Sequence, residues 1–156
     1  MSRQIIQLYL FLVVAMFSKA AAPEPLIGTW ILFSQTLDNQ KVDTEPITLR
    51  IYPSGNALEF AYSSPLNGIH VLNLKFTSVR LDGSEGSVQD FNNKKLGSVR
   101  VTKVSPREYK IMIEGPNRPK GIGRMIVSAD SKTLTSESET SVKGVTKRAL
   151  QVFNRR

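Results

Sequence analysis

Few side chains in this sequence could carry acid–base chemistry. The chain has 156 residues, no cysteine and one histidine, His70, the only side chain whose ordinary pKa lies near neutrality. The candidate partners for it are the hydroxyl groups of Ser63 and Ser64 and the carboxylates of Asp82 and Asp90. No serine, however, has the glycine-flanked pattern of a nucleophile elbow. We therefore predict no catalytic residues and no enzymatic activity, and expect His70 to be a strand-surface or loop residue.

The carboxylates and the missing thiols exclude further kinds of site. Asp82 and Glu85 fall in a turn, and Glu137 and Glu139 share one face of a strand, so neither pair spans a cleft as glycoside hydrolysis requires. The absence of cysteine excludes zinc–thiolate sites, iron–sulfur clusters and disulfides. A single histidine excludes multi-histidine metal sites, and no phosphate-binding loop or dinucleotide fingerprint is present. We predict no metal ion and no cofactor.

Residues 1–20 have the pattern of a signal peptide. Arg3 supplies a positive charge, and the apolar run from Ile5 to Phe17 is shorter than the about 20 residues that span a membrane. We predict an N-terminal helix that is removed on export to the periplasm or outside the cell, leaving no membrane span. An uncleaved anchor is the alternative. The two candidate cleavage points are Ala20/Ala21 and Ala22/Pro23.

Charge is unevenly distributed along the rest of the chain. Residues 21–90 carry a net charge of −4 and residues 91–156 a net charge of +10. Such asymmetry can mark a face that binds polyanions, or it can reflect acidic early strands paired with basic late strands. Because the basic pairs Lys94-Lys95 and Arg155-Arg156 have only Phe91 and Phe153 near them, we predict no nucleic-acid partner.

Short segments of alternating apolar and polar residues recur between turn signals. Ile47, Leu49 and Ile51 alternate with polar residues, and a turn at residues 53–56 leads into the next such segment. The pattern predicts nine or ten strands with no helix after the signal segment, and a polar, irregular stretch from Asp82 to Lys95 with one short strand. The fold class is therefore all-β, a single up-and-down antiparallel β-barrel of about 8–10 strands spanning residues 26–156; a sandwich is the alternative.

Three short stretches resemble a known family. Gly28-Thr29-Trp30 opens the first strand, residues 125–135 match a penultimate hairpin, and Gly144 with residues 152–155 matches a closing strand. In these stretches the chain resembles the lipocalin-like (calycin-type) β-barrels, and in particular small exported bacterial proteins with such domains. The resemblance implies that Trp30 plugs the barrel floor at Gly28 and that Arg155, or alternatively Arg148, lies over it as a cation–π partner. The family's Asp-Gly-Lys turn is replaced by Asp130-Ser131-Lys132, which implies strain or a different turn.

The resemblance implies binding rather than catalysis. We expect the barrel to sequester one small, largely apolar molecule, although the same alternating residues would equally fill a packed core. The alternative is a packed barrel whose basic later half binds an anionic envelope polymer, a lipid head group or an acidic protein. The candidate cavity-lining residues are Leu49, Ile51, Phe60, Tyr62, Leu74, Phe76 and Ile111.

Overall fold

The computed structural model describes residues 22–43, 45–66, 69–116 and 118–156, and these residues form eleven β-strands. The predicted signal peptide, residues 1–20, lies outside the described residues. The strands are β1 (Gly28–Leu37), β2 (Gln40–Val42), β3 (Thr48–Ser54), β4 (Ala57–Leu66), β5 (Ile69–Val79), β6 (Asp82–Asp90), β7 (Lys95–Ser105), β8 (Glu108–Gly115), β9 (Arg118–Val127), β10 (Thr133–Val142) and β11 (Val145–Arg155).

The sheet closes on itself. From β3 onward each strand pairs antiparallel with its successor, and β1 pairs with both β3 and β11. The closing register runs from Trp30 opposite Arg155 to Leu37 opposite Ala149. Ten strands therefore complete the wall of the barrel. The short strand β2 forms a hairpin with the last three residues of β1. This confirms the predicted all-β, antiparallel, up-and-down barrel.

Two tight turns show why neighbouring strands fold back directly. Asp38 and Asn39 both have positive φ, 49° and 68°, between β1 and β2. Lys143 and Gly144 do so as well, at 48° and 80°, between β10 and β11. Two consecutive left-handed residues match the right-handed twist of the strands that they join, which favours a hairpin.

The core fills one half of the barrel. Up-and-down strands place alternate connections at the same end. We call the end that holds residues 55–56, 106–107 and 128–132 the lower end, and the end that holds residues 38–39, 91–94 and 143–144 the upper end. The side chains buried in one continuous cluster come from the segment before β1 and from nearly every strand. They are Leu26, Trp30, Leu32, Leu49, Ile51, Phe60, Phe76, Val79, Val88, Val99, Val101, Tyr109, Ile111, Met125, Val127, Leu134 and Phe153.

Strand β6 replaces the mostly irregular stretch expected from Asp82 onward. It pairs with β5 over four residue pairs and with β7 from Asp82 to Gln89. Its inner face carries Gly86 and Val88, and a Cβ at Gly86 would collide with the carbonyl oxygen of Thr77. Because one inward position is a glycine required by close packing, the apolar alternation is interrupted, and the sequence does not resemble a strand.

Ion pairs do not simply join the acidic and basic halves. Arg100 pairs with Glu85 at 2.7 Å, and Lys103 with Glu24 at 2.7 Å. The other four described pairs join residues of the later half with one another: Lys120–Glu114, Arg124–Glu108, Arg124–Glu137 and Arg148–Glu139. The basic excess of the later half is therefore only partly compensated by the earlier strands.

Candidate functional site

The lower end is sealed by the segment that precedes β1. Leu26 is completely buried, and its carbonyl oxygen accepts a 3.0 Å hydrogen bond from the indole nitrogen of Trp30. Trp30 is itself completely buried. The guanidinium carbon of Arg155 lies 4.1 Å from the centre of the Trp30 ring, so the two residues form a cation–π contact. Arg148, the other candidate for this contact, pairs with Glu139 instead.

Arg155 also ties three chain segments together. Its guanidinium donates to the carbonyl oxygens of Pro25 at 2.6 Å, Ile27 at 2.8 Å and Ser131 at 2.6 Å. Gly28 makes room for it, because a Cβ there would collide with the guanidinium and the φ of +155° disfavours other residues. Gly28, Trp30 and Arg155 thus act together as a structural unit.

A second set of polar contacts completes the seal. The Glu24 carboxylate accepts a hydrogen bond from the Tyr109 hydroxyl and pairs with Lys103 at 2.7 Å. Burial, followed by the bond to Glu24, raises the pKa of Tyr109 well above its ordinary value. The sequence analysis missed Glu24 and Leu26, because a short segment before the first strand carries no periodic signal.

The candidate cavity-lining residues fall into two groups. All seven face the barrel interior, but Leu49, Ile51, Phe60, Phe76 and Ile111 belong to the buried core. Tyr62 and Leu74 are only half-buried and pack against the upper boundary of that core. The Tyr62 ring meets the Phe76 ring edge-on, with 5.4 Å between centroids. Complete burial of the inward side chains therefore ends at the level of Tyr62 and Leu74.

Above that level, the wall opposite Tyr62 is built from small or polar residues. The inward positions of β9 and β10 above the core residues Met125 and Leu134 are Gly123, Gly121, Ser136, Ser138 and Thr140. A Cβ placed on Gly121 would meet only Thr140 Oγ1 at 3.8 Å and a carbonyl oxygen at 4.0 Å. The serines and threonine alternate with outward glutamates, so this segment has no apolar face to mark its inner side in the sequence.

Tyr62 brings the one aromatic hydroxyl into this upper interior. The side chain remains partly accessible, yet enough protein surrounds it that burial raises the pKa of its hydroxyl well above the ordinary value of 10.0. Among the described residues its hydroxyl has no hydrogen-bond partner, whereas Tyr52 and Tyr109 each bond a glutamate. A phenol without a partner keeps its O–H donor available for a bound molecule.

One depression on the described surface lies on the outer wall. It has a volume of about 540 Å³ and crosses β8 to β11 and the upper part of β1. Ile122 and Leu150 supply exposed apolar surface there. Arg124 bridges Glu108 and Glu137 at its border, and Arg148 pairs with Glu139 there. It contains none of the candidate cavity-lining residues.

No catalytic or metal-binding arrangement is present in the part of the chain that the structure describes. No three metal-ligating side chains come together there. Glu137 and Glu139 lie on the outer face, paired with Arg124 and Arg148. The side chain of His70 lies outside the described residues. Within the same residues, no helix is long and apolar enough to cross a membrane.

Comparison with known proteins identifies the fold. Neither a protein-family model nor a curated protein matches the chain. Solved structures do match the chain. The zebrafish ileal bile acid-binding protein, complexed with cholic acid, matches with a TM-score of 0.55 and 20% identity over 85% of this chain and 99% of that one. A secretory abundant heat soluble (SAHS) protein from Ramazzottius varieornatus matches with a TM-score of 0.61 and 16% identity over 86% and 98%.

The chain has the closed antiparallel β-barrel fold of these proteins. At these identities the comparison establishes fold alone, and it confirms the resemblance to lipocalin-like barrels at that level.

Proposed function

We propose that the barrel binds one small, largely apolar molecule in the upper half of its interior. The observation that carries this proposal is the change in filling along the barrel axis. Below the level of Tyr62 the inward side chains form a buried core. At that level and above it, the inward side chains of Tyr62, Leu74 and Ile113 are only half-buried. The structural neighbour solved with cholic acid supports the same class of ligand, an amphipathic molecule with one large apolar body.

Each part of the upper interior has a role in this proposal. Leu74, Ile113 and the Tyr62 ring cover the apolar part of the ligand, and each Å² removed from water contributes about 25 cal/mol. Gly121 and Ser138 leave space for it on the opposite wall. The Tyr62 hydroxyl donates one hydrogen bond that fixes the ligand's orientation. Binding requires no chemical step, so we infer sequestration or carriage rather than catalysis.

We also propose that the protein is exported and acts in the periplasm or outside the cell. The charged start, apolar run and small residues of positions 1–20 support this. The lower seal uses residues from Glu24 onward, so cleavage at Ala20/Ala21 or at Ala22/Pro23 would preserve it. Mass spectrometry of the exported protein would test cleavage directly, and retention of residues 1–20 would contradict it.

The binding proposal is tested by filling the upper interior. Gly121 does not have a positive φ and has little around its Cβ position, so Gly121→Phe should place a ring in the interior without backbone strain. We expect wild-type protein to bind a dansyl-labelled fatty acid with increased fluorescence, and Gly121→Phe to weaken that binding at least tenfold. The control is Ile122→Phe, which adds a ring on the outer face of the same strand and should leave binding unchanged.

Either of two outcomes would contradict the proposal. If Ile122→Phe weakened probe binding and Gly121→Phe did not, the probe would occupy the outer-wall depression. If exported protein carried no small molecule in native mass spectrometry and bound neither fatty acid nor bile acid, the upper interior would not be a binding site.

A further inference from the structure

Large apolar side chains are exposed at the tips of the upper end. Of the ten exposed large hydrophobic residues in the described chain, five lie at this end, on a connection or at the end of a strand; one of them is Leu37, the last residue of β1. Such residues usually occur singly, and a group at one end marks an interaction surface. The four on or beside the loop tips are Ile69 (69% exposed), Phe91 (63%), Val142 (43%) and Val145 (60%).

Lysines lie beside these apolar tips. Lys94 lies in the β6–β7 connection after Phe91 and Lys95 begins β7, while Lys143 and Lys147 flank Val145 in the β10–β11 hairpin. All four are exposed, and none forms an ion pair with a described residue. We name this set the rim patch: Ile69, Phe91, Val142, Val145, Lys94, Lys95, Lys143 and Lys147.

The carboxylates near the rim patch do not cancel it. Asp90 accepts hydrogen bonds from the backbone amides of Asn92 and Lys94, and Glu139 pairs with Arg148. Glu114 pairs with Lys120. Asp38 accepts a bond from the amide of Arg148, and Asp43 and Glu45 follow β2, which itself carries the exposed Lys41. The amide hydrogen bonds leave the charges of Asp90 and Asp38 in place. The hairpin and the loop that carry the four rim lysines are nevertheless net positive, because Asp90 is the one carboxylate within residues 90–95 and none lies within residues 142–147.

We propose that the rim patch docks the upper end of the barrel onto an anionic lipid bilayer. Apolar side chains at loop tips can enter the interface between head groups and acyl chains, and lysines beside them pair with lipid phosphates. Neither component is enough by itself. A soluble polyanion would use the lysines and leave Phe91 and Val145 exposed, so the apolar tips favour a bilayer over a polymer.

The docked orientation has a consequence for the interior. The same end carries both the rim patch and the part of the barrel above the buried core, where we propose the ligand binds. Docking would face that end toward the bilayer and the sealed end of Trp30 toward water. A molecule of low solubility could then move between bilayer and barrel without crossing bulk water.

Vesicle flotation of the exported protein tests the proposal. Wild-type protein should bind vesicles rich in phosphatidylglycerol and bind pure phosphatidylcholine vesicles much more weakly. Each lysine near an anionic surface contributes about fivefold to partitioning, so changing all four rim lysines to alanine should reduce binding several hundredfold. The double variant Phe91→Ser/Val145→Ser should reduce it at least tenfold. All variants share one N-terminus, so any contribution from residues 1–21 is the same in each.

Matched controls exist at the lower end. Lys132 and Val104 are exposed there, and Lys132→Ala and Val104→Ser should leave vesicle binding unchanged. Loss of binding in these controls equal to that in the rim variants would overturn the proposal. So would full retention by Phe91→Ser/Val145→Ser with competition by dextran sulfate, because the partner would then be a polyanion. Gly121→Phe should still bind vesicles, so failure of interior binding and failure of docking can be told apart.

Discussion

Arg155 is the residue on which the sealed end most depends. It lies over the Trp30 ring and donates to three carbonyl oxygens from two separate segments, residues 25–27 and Ser131. A guanidinium presents several donors in a fixed plane, whereas an ammonium presents a single point charge. Lysine at this position would keep the positive charge but could not donate to all three carbonyl oxygens while lying over the Trp30 ring.

We therefore expect Arg155→Lys to lower the free energy of unfolding by about 2–4 kcal/mol, since carbonyl groups would lose their donors. The measurement is urea unfolding followed by the fluorescence of Trp30, the single tryptophan. The neighbouring exposed Arg156 gives the control, and Arg156→Lys should change stability by less than about 0.5 kcal/mol. Equal effects of the two substitutions would show that Arg155 acts only through its charge.

At the scale of elements, the hairpin between β9 and β10 shows how a local cost is offset. Ser131 has a positive φ of 59°, where the resemblance expects glycine. This conformation costs roughly 1–2 kcal/mol for a residue with a Cβ. The Ser131 hydroxyl accepts a 2.8 Å hydrogen bond from Arg107, whose guanidinium also donates to the carbonyl of Ser128. The turn therefore has the positive φ that glycine would adopt at this position, and the hydrogen bonds from Arg107 offset the cost of that conformation for Ser131.

A double-mutant cycle separates these two effects. In the wild-type background Ser131→Gly should change the free energy of unfolding by less than about 1 kcal/mol, because relief of strain and loss of the bond offset one another. In an Arg107→Met background the bond is already absent, so the same substitution should stabilise the protein by about 1 kcal/mol. Urea unfolding gives both values, and identical effects in the two backgrounds would exclude the proposed compensation.

The same scale shows what the sequence could and could not predict. Strands with regular apolar alternation, such as β3 and β8, were predictable because their inner faces pack against the core. Strand β6 was mostly missed, since Gly86 and polar residues replace the alternation there. The upper interior was missed for a related reason: Ser136 and Ser138 face inward but give no apolar signal. Alternation of apolar and polar residues marks inner faces that pack in a core. It therefore predicted the inward positions of the lower half better than those of the upper half.

At the scale of the whole molecule, the two ends of the barrel differ in packing and accessibility. The lower end combines a buried tryptophan, a buried leucine and several charged hydrogen bonds. At the upper end, the tips of the hairpins carry exposed side chains. One sealed and one open end favour a single route for a ligand, through the upper end, where the rim patch also lies.

One buried tyrosine at each end of the barrel makes the free energy of unfolding depend on pH. Burial raises the pKa of Tyr62 in the upper interior, and burial together with Glu24 raises that of Tyr109 at the lower seal. In the unfolded chain both ionise near 10.0. Above that pH the unfolded state loses protons that the folded state keeps, so the free energy of unfolding falls as pH rises. Below pH 10 their contribution is fully present.

We expect each buried tyrosine to contribute a slope of up to about 1.4 kcal/mol per pH unit above pH 10. Tyr62→Phe should remove one such contribution while leaving the seal intact, and Tyr52→Phe, at the exposed surface, should change the slope less. Urea unfolding between pH 8 and 11 gives the slopes. A slope in Tyr62→Phe equal to that of the wild-type protein would show that burial does not hold the proton on the Tyr62 hydroxyl.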